Sequence, residues 1–297
     1  MSTPRCLGAG RLAVVGLPCL WLCLFFLAPF AIVLKIALAE AAEGVPPYAA
    51  MLDWAGGALP YVRLHLGNFR TLLEDPFYAE AFLRSLRVAA ISASLCLLAG
   101  YPMALAISRT SARARALLLL LVMLPFWSSF LLRISAWIAI LQDGGIINSM
   151  LVGLGLVSQP MALLYTDTAM YVGIVYCYLP FMVLPLYANL VQLDTALLEA
   201  ASDLGARPWR AFLAVTLPLS LPGVVAGFML VFIPALGEFV IPELLGGPDA
   251  QLIGRVLWTE FFQNRDWPLA SALAVALLLL LVAPIMLFQH ERKAVRV

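Results

Sequence analysis

Two charged residues lie deep inside apolar stretches of this chain, and their types limit what chemistry it can do. Arg133 stands about 17 residues into the apolar run 116–140, and Glu238 about 15 residues into the run 223–244. At ~1.5 Å per helical residue, both reach a similar depth in the outer half of a bilayer. A charge at that depth costs several kcal/mol unless it is paired or wet. Three readings follow: an Arg133–Glu238 ion pair, Arg133 snorkelling to the outer interface, or Glu238 facing a water-filled route for a cationic solute. For the last, Trp127, Trp137, Tyr178 and Phe181 are available for cation–π contact with the cargo.

Catalysis is not indicated. The only histidines are His65 and His290, which fall on opposite sides of the membrane in the topology derived below and have no partner spacing for acid–base work. No G-x-x-x-x-G-K-[ST] phosphate cradle occurs, so any ATP must be hydrolysed by another polypeptide. Cys6, Cys19, Cys23, Cys96 and Cys177 lack metal-site or disulfide-framework spacing and read as small apolar residues. The net charge of +1 gives no ground for nucleic-acid binding.

A second group of residues lies in Glu199–Pro222, a polar interval between apolar runs. Ala200, Ala201, Leu204, Trp209, Phe212, Leu213 and Thr216 recur at steps of three and four, which predicts short helical pieces with one apolar face. Gly205 can adopt the left-handed conformation that ends a helix, and Pro208 suits the first turn of the next. The interval therefore reads as helix, sharp turn, helix.

The elements that position both groups are membrane spans. Hydrophobic residues make up 63% of the 297-residue chain and charged residues 12%, with mean hydropathy +0.98, far more apolar than a soluble domain requires. The fold class is an all-α integral membrane protein forming one transmembrane domain over 1–297. Six runs, about 12–38, 86–107, 116–140, 169–192, 223–244 and 268–288, each supply the ~20 residues a spanning helix needs. Ala37-Leu38-Ala39 resembles a signal cleavage site, but the stretch from Leu12 to Val33 exceeds the ~7–15 apolar residues of a signal core, so the first run is read as a retained helix.

With a cytoplasmic amino terminus, the inner side carries Arg5, Arg11, Arg109, Arg113, Arg115, Arg207, Arg210, Arg292, Lys293 and Arg296. These are ten of the 18 basic residues, against four of the 17 acidic ones, Asp194, Glu199, Asp203 and Glu291. That asymmetry is the positive-inside pattern, and it places both termini and the 193–222 loop in the cytoplasm. Outside lie the Gly- and Pro-rich segment with Gly44, Pro46, Pro47, Gly56 and Gly57, a short surface helix expected over 68–86, and a loop over 141–168. Pro102 and Pro180 fall inside spans and kink them.

Glu199-Ala200-Ala201, Gly205 and Leu217-Pro218 resemble the EAA loop of ABC importer permeases. Further matches are Phe126-Trp127-Ser128-Ser129-Phe130, Arg133, Ala136-Trp137, Tyr178-Leu179-Pro180-Phe181 and the run from Gly237 to Asp249. Together with Ile253-Gly254-Arg255 and Asn264-Arg265-Asp266-Trp267-Pro268, they resemble the permeases of polyamine importers over about residues 65–290, and the putrescine type most.

The resemblance implies a six-helix type I ABC importer (MetI-like) core in the bacterial inner membrane, acting as a transport subunit and not as an enzyme. It also implies a second homologous permease chain in a heterodimer, and a pair of ATPase subunits that bind ATP and Mg. A soluble periplasmic binding protein would deliver the polyamine, and this chain would hold no cofactor. By the same resemblance, Glu199, Ala200, Ala201, Asp203, Gly205, Arg207 and Pro208 form the ATPase-docking turn. An ion-gradient-coupled secondary transporter, or an ABC permease for spermidine, an opine or a phosphonate, stands as the alternative. The former would show an internal repeat and acidic groups at the bilayer midplane, and no repeat occurs here.

Overall fold

The computed structural model describes residues 9–50, 52–53, 61–248 and 250–294, with side chains placed over 14–50, 63–248 and 250–282. Arg5, Cys6, Gly56, Gly57, Asp249 and Arg296 lie outside the described residues, as do the side chains of Arg11, His290, Glu291, Arg292 and Lys293. The helices are α1 Ala9–Leu22, α2 Ala28–Ala37, α3 Gly67–Glu74, α4 Pro76–Ser108, α5 Ala112–Met123, α6 Phe130–Leu141, α7 Ile146–Gly153, α8 Asp167–Leu190, α9 Thr195–Asp203, α10 Pro208–Ala211, α11 Leu217–Leu236, α12 Val240–Leu245, α13 Ile253–Trp258 and α14 Trp267–Ala294. The strands β1 Leu52–Asp53 and β2 Tyr61–Val62 form a minimal antiparallel ladder.

Among the described residues, five stretches are long and apolar enough to cross a membrane: Val14–Ala37, Pro76–Ser108, Phe130–Gly153, Asp167–Leu190 and Pro208–Leu236. A shorter apolar helix, Trp267–Val282, joins them. Apart from that two-residue ladder the described fold is helical, and the protein is multi-pass, as its composition requires.

The chain divides into two compact units, 1–79 with 257–297, and 80–256. In the first, α2 and α3 both pack on α14. Asn68 Nδ2 donates to the carbonyls of Ala37 (2.9 Å) and Ala39 (2.8 Å), satisfying oxygens that the end of α2 leaves without helical partners. The buried Glu260 accepts from Tyr78 Oη at 3.2 Å and from Asn264 Nδ2 at 2.8 Å.

In the second unit α8 and α11 form the central pair. Close approach is possible because α11 presents Gly223 and Gly227, a small-xxx-small spacing that lets backbones meet where lipid supplies no hydrophobic drive. A Cβ at Gly227 would lie 2.8 Å from Met182 Sδ, and one at Gly223 2.7 Å from Asn189 Cβ. Ser220 extends the same stripe, and its hydroxyl hydrogen-bonds Tyr101 Oη of α4 at 2.8 Å.

Three elements differ from the sequence reading. No separate surface helix occupies 68–86: α3 stops at Glu74, and α4 starts at Pro76 and runs 33 residues. Asp75 makes the break, taking extended backbone and accepting the Phe77 N–H at 2.9 Å, while Pro76 begins the next helix without needing a donor.

The run 116–140 is not one helix. It breaks at Leu124–Ser129, where Pro125 opens a 3-10 turn and Ser128 Oγ donates to the Pro125 carbonyl at 2.7 Å.

The run 223–244 ends as helix at Leu236 and begins much earlier, since α10 flows through a π turn, Phe212–Thr216, into α11. The second helix of the 199–222 interval is thus the foot of a long helix and not an isolated piece. Pro218 cannot donate a backbone N–H, and the widened turn before it absorbs that lost bond.

Candidate functional site

The break after α11 builds the first candidate region. Gly237 closes the helix, and the backbone turns through Glu238 and Phe239 before α12 begins. Glu238, 8% exposed, folds its carboxylate onto the start of that helix. Oε1 accepts from the N–H groups of Phe239 (3.2 Å), Val240 (3.0 Å) and Ile241 (3.3 Å). Tyr178 of α8 donates its hydroxyl to Oε2. The carboxylate therefore satisfies orphan amide donors at a helix start, where negative charge is favoured.

Two further contacts hold this turn. Gly254 passes so close that a Cβ there would lie 2.5 Å from the Gly237 carbonyl oxygen and 2.7 Å from that of Glu238. Arg255 Nε pairs with Glu243 Oε2 at 2.7 Å, tying α13 to α12. Sequence reasoning did not assign roles to Gly254, Glu243 or Arg255. A glycine beside a basic residue twelve positions beyond an acidic one carries no periodic signal, because a loop between α12 and α13 sets how the two short helices meet.

Arg133 does not pair with Glu238, and among the described residues no carboxylate forms an ion pair with it. Its guanidinium carbon lies 5.4 Å from the Phe126 ring centroid and 5.6 Å from that of Phe130. It does not snorkel either, being 8% exposed with Nε lacking any acceptor. Phe126 meets Phe181 edge-on at 5.3 Å, and Phe181 lies 6.0 Å from Tyr178. A chain of three rings thus leads from the arginine to the tyrosine that holds Glu238. Phe130 could have been found from its i−3 spacing to Arg133; Phe126 could not, because the 3-10 turn intervenes.

The two tryptophans are placed elsewhere. Trp137 meets Tyr176 edge-on at 5.5 Å, and Trp127 is 77% exposed. Of the six residues grouped by type, the structure brings Glu238, Tyr178, Phe181 and Arg133 into one connected set.

The second candidate region is the α9–α10 turn. Asp194 caps α9 by accepting the Ala196 N–H at 2.9 Å. At the other end, the Ala206 N–H donates to the Ala201 carbonyl (3.0 Å) and the Gly205 N–H to the Ser202 carbonyl (2.9 Å). This is the paired closure of a Schellman motif, with Gly205 at φ +77°. Arg207 takes extended backbone, and Pro208 starts α10.

Glu199, Ala200, Asp203, Gly205, Arg207 and Pro208 are exposed and Ala201 is half-buried. Leu204 is 89% exposed, and Trp209, also exposed, carries the Arg210 guanidinium at 5.2 Å. Apolar side chains held outward on a rigid turn are surface available to another protein.

Long apolar helices packed through small residues, broken near the end of one span, define a multi-pass membrane protein. The chain belongs to the family described as "Binding-protein-dependent transport system inner membrane component", matched over residues 96–296. It is 39% identical over 273 residues to the "Spermidine/putrescine transport system permease protein PotB" of Haemophilus influenzae, covering 92% of this chain and 91% of that protein. It is 42% identical over 212 residues to the protein of the same name from Escherichia coli, covering 71% and 77%.

Among solved structures it resembles a chain of the bacterial alginate ABC transporter in complex with an alginate pentasaccharide-bound periplasmic protein. That likeness has TM-score 0.67 at 20% identity, covering 96% of this chain and 94% of that one, and it speaks to the fold alone.

Proposed function

We propose that this chain is a transmembrane permease subunit of an ATP-driven importer that carries a polyamine, putrescine in particular, across the inner membrane. The observation that carries the reading is the near end-to-end likeness to a permease named for spermidine and putrescine transport. The exposed, rigid turn at Gly205 supports the energy source. Its position between α9 and the long α10–α11 helix suits a lever on which a separate ATPase docks. ATP and Mg belong to that partner in this reading, because the chain carries no phosphate-binding motif of its own.

The reading includes a second permease chain, a soluble binding protein that hands over the polyamine, and cytoplasmic termini. Tyr178, Phe181 and Glu238 would shape the pathway beside the broken end of α11. Vesicles containing the full assembly test it. Labelled putrescine should accumulate with ATP and not without it, and excess unlabelled spermidine should compete. Uptake of spermidine without putrescine would reassign the cargo. Uptake driven by an ion gradient without ATP would overturn the importer reading.

A further inference from the structure

We infer that Arg133 receives its counter-charge from a carboxylate on the second permease chain, so that this buried guanidinium is an assembly contact. The inference rests on the two-permease reading above and names the chemistry of the contact.

The argument begins with what Arg133 lacks. It is buried to the level of a core residue, its Nε has no acceptor, and its guanidinium lies over the faces of Phe126 and Phe130. Aromatic faces attract a cation but accept no conventional hydrogen bond, so the buried Nε is left without an acceptor. Burying a charge in that condition is strongly unfavourable unless a partner completes it. Within the chain the obvious partner is Glu238, but its two oxygens are taken by three backbone amides and the Tyr178 hydroxyl. No carboxylate among the described residues completes it, and the exposed segment that carries it points to a group from outside this fold.

The chain around Arg133 indicates what brings it. Trp127, Leu131 and Leu132 are all exposed in the same segment. An arginine flanked by aromatic residues, with other charges absent, is the composition of an interface core. A carboxylate fits the guanidinium fork with two parallel hydrogen bonds, and a membrane-embedded Asp or Glu on a neighbouring permease would itself need such a cation.

The test compares the wild-type chain, Arg133→Gln and Arg133→Lys, each affinity-tagged, alone and co-expressed with the second permease. Thermal unfolding of the chain alone in neutral detergent and retention of the second permease are both measured. Arg133→Gln should leave the melting temperature of the isolated chain unchanged or raised, because an unpaired charge is removed, yet lower retention at least ten-fold. Arg133→Lys should keep part of the retention. Replacing the embedded Asp and Glu residues of the second permease by Asn or Gln, one at a time, should reveal one change that adds no further loss to Arg133→Gln.

A fall in the melting temperature of isolated Arg133→Gln, with retention per folded chain unchanged, would overturn the inference in favour of an intrachain role. Repeating the retention assay in zwitterionic vesicles with and without phosphatidylglycerol separates a lipid source. If Arg133 matters only when the anionic lipid is present, its counter-ion is a lipid phosphate and the inference fails. A wild-type chain that retains no second permease refutes the two-permease reading itself, and the inference with it.

Discussion

Tyr178 on α8 donates its hydroxyl to Glu238, whose other oxygen receives the first amide donors around α12. The acid therefore fastens the broken end of one central helix to the other. Its charge is used to start a helix, and Arg133 forms no ion pair with it.

The energetics of this fastening can be measured. Glu238→Ala strands several buried donors and should cost about 3 kcal/mol or more, whereas Glu238→Gln keeps an acceptor oxygen and should cost about 1–2 kcal/mol. Tyr178→Phe should fall between them and couple non-additively with Glu238→Gln in a double-mutant cycle of thermal unfolding. Because no ion pair joins them, adding Arg133→Gln to Glu238→Gln should restore nothing. Recovery of the wild-type melting temperature would show that the two charges do compensate each other.

The turn at Gly205 has a separable cost. A Cβ there meets nothing within 4 Å, so only the left-handed backbone opposes a side chain. Gly205→Val should cost ~1 kcal/mol or more and re-aim α9, while Gly205→Asn, which tolerates that conformation, should be milder. In reconstituted complexes, Gly205→Val and Glu199→Arg should retain the second permease but lose ATPase binding or ATP-coupled uptake. Wild-type coupling in both would remove this turn from the docking role.

Packing of α8 against α11 predicts a different defect. Gly227→Leu drives a side chain into Met182, and Gly254→Ala drives a methyl into the carbonyls of Gly237 and Glu238. Overpacking of this kind typically costs ~1–3 kcal/mol. Both should lower the yield of folded chain in detergent, as read by the monodisperse fraction. An unchanged fraction would mean that the helices can separate locally without loss.

Orientation is open to direct labelling. Cysteines introduced at Asp203 and at the carboxyl terminus should react with an impermeant thiol reagent only from the cytoplasmic side, and one at Gly56 only from the outside. Reaction at 203 from outside would reverse the topology.

Much of this protein was legible before any fold. The multi-pass character follows from apolar length, because a bilayer demands ~20 residues whatever their neighbours are. The bounds of the runs 116–140 and 223–244 do not follow from it, because Pro125 and Gly237 break them. The Gly205 turn follows from local chain geometry, and the structure has it at positive φ. The pairing of Arg133 with Glu238 was open in the sequence and is absent in the structure. Two charges at similar depth can meet only if their helices face each other at that level, and one of them sits at a helix break that supplies its own donors.

The amino-acid sequence by itself determined the class, a multi-pass chain, and the turn at Gly205 and Pro208, where a glycine and a proline act within a few residues. Tertiary structure alone decided which face of each helix is used. It put Met182 against Gly227, Tyr178 against Glu238, and Phe126, not Trp127, against Arg133. Those choices depend on how α5 to α8 and α11 rotate against one another across a 3-10 turn and a broken helix. No periodicity carries through such irregular segments, because each resets the angular phase of the residues that follow.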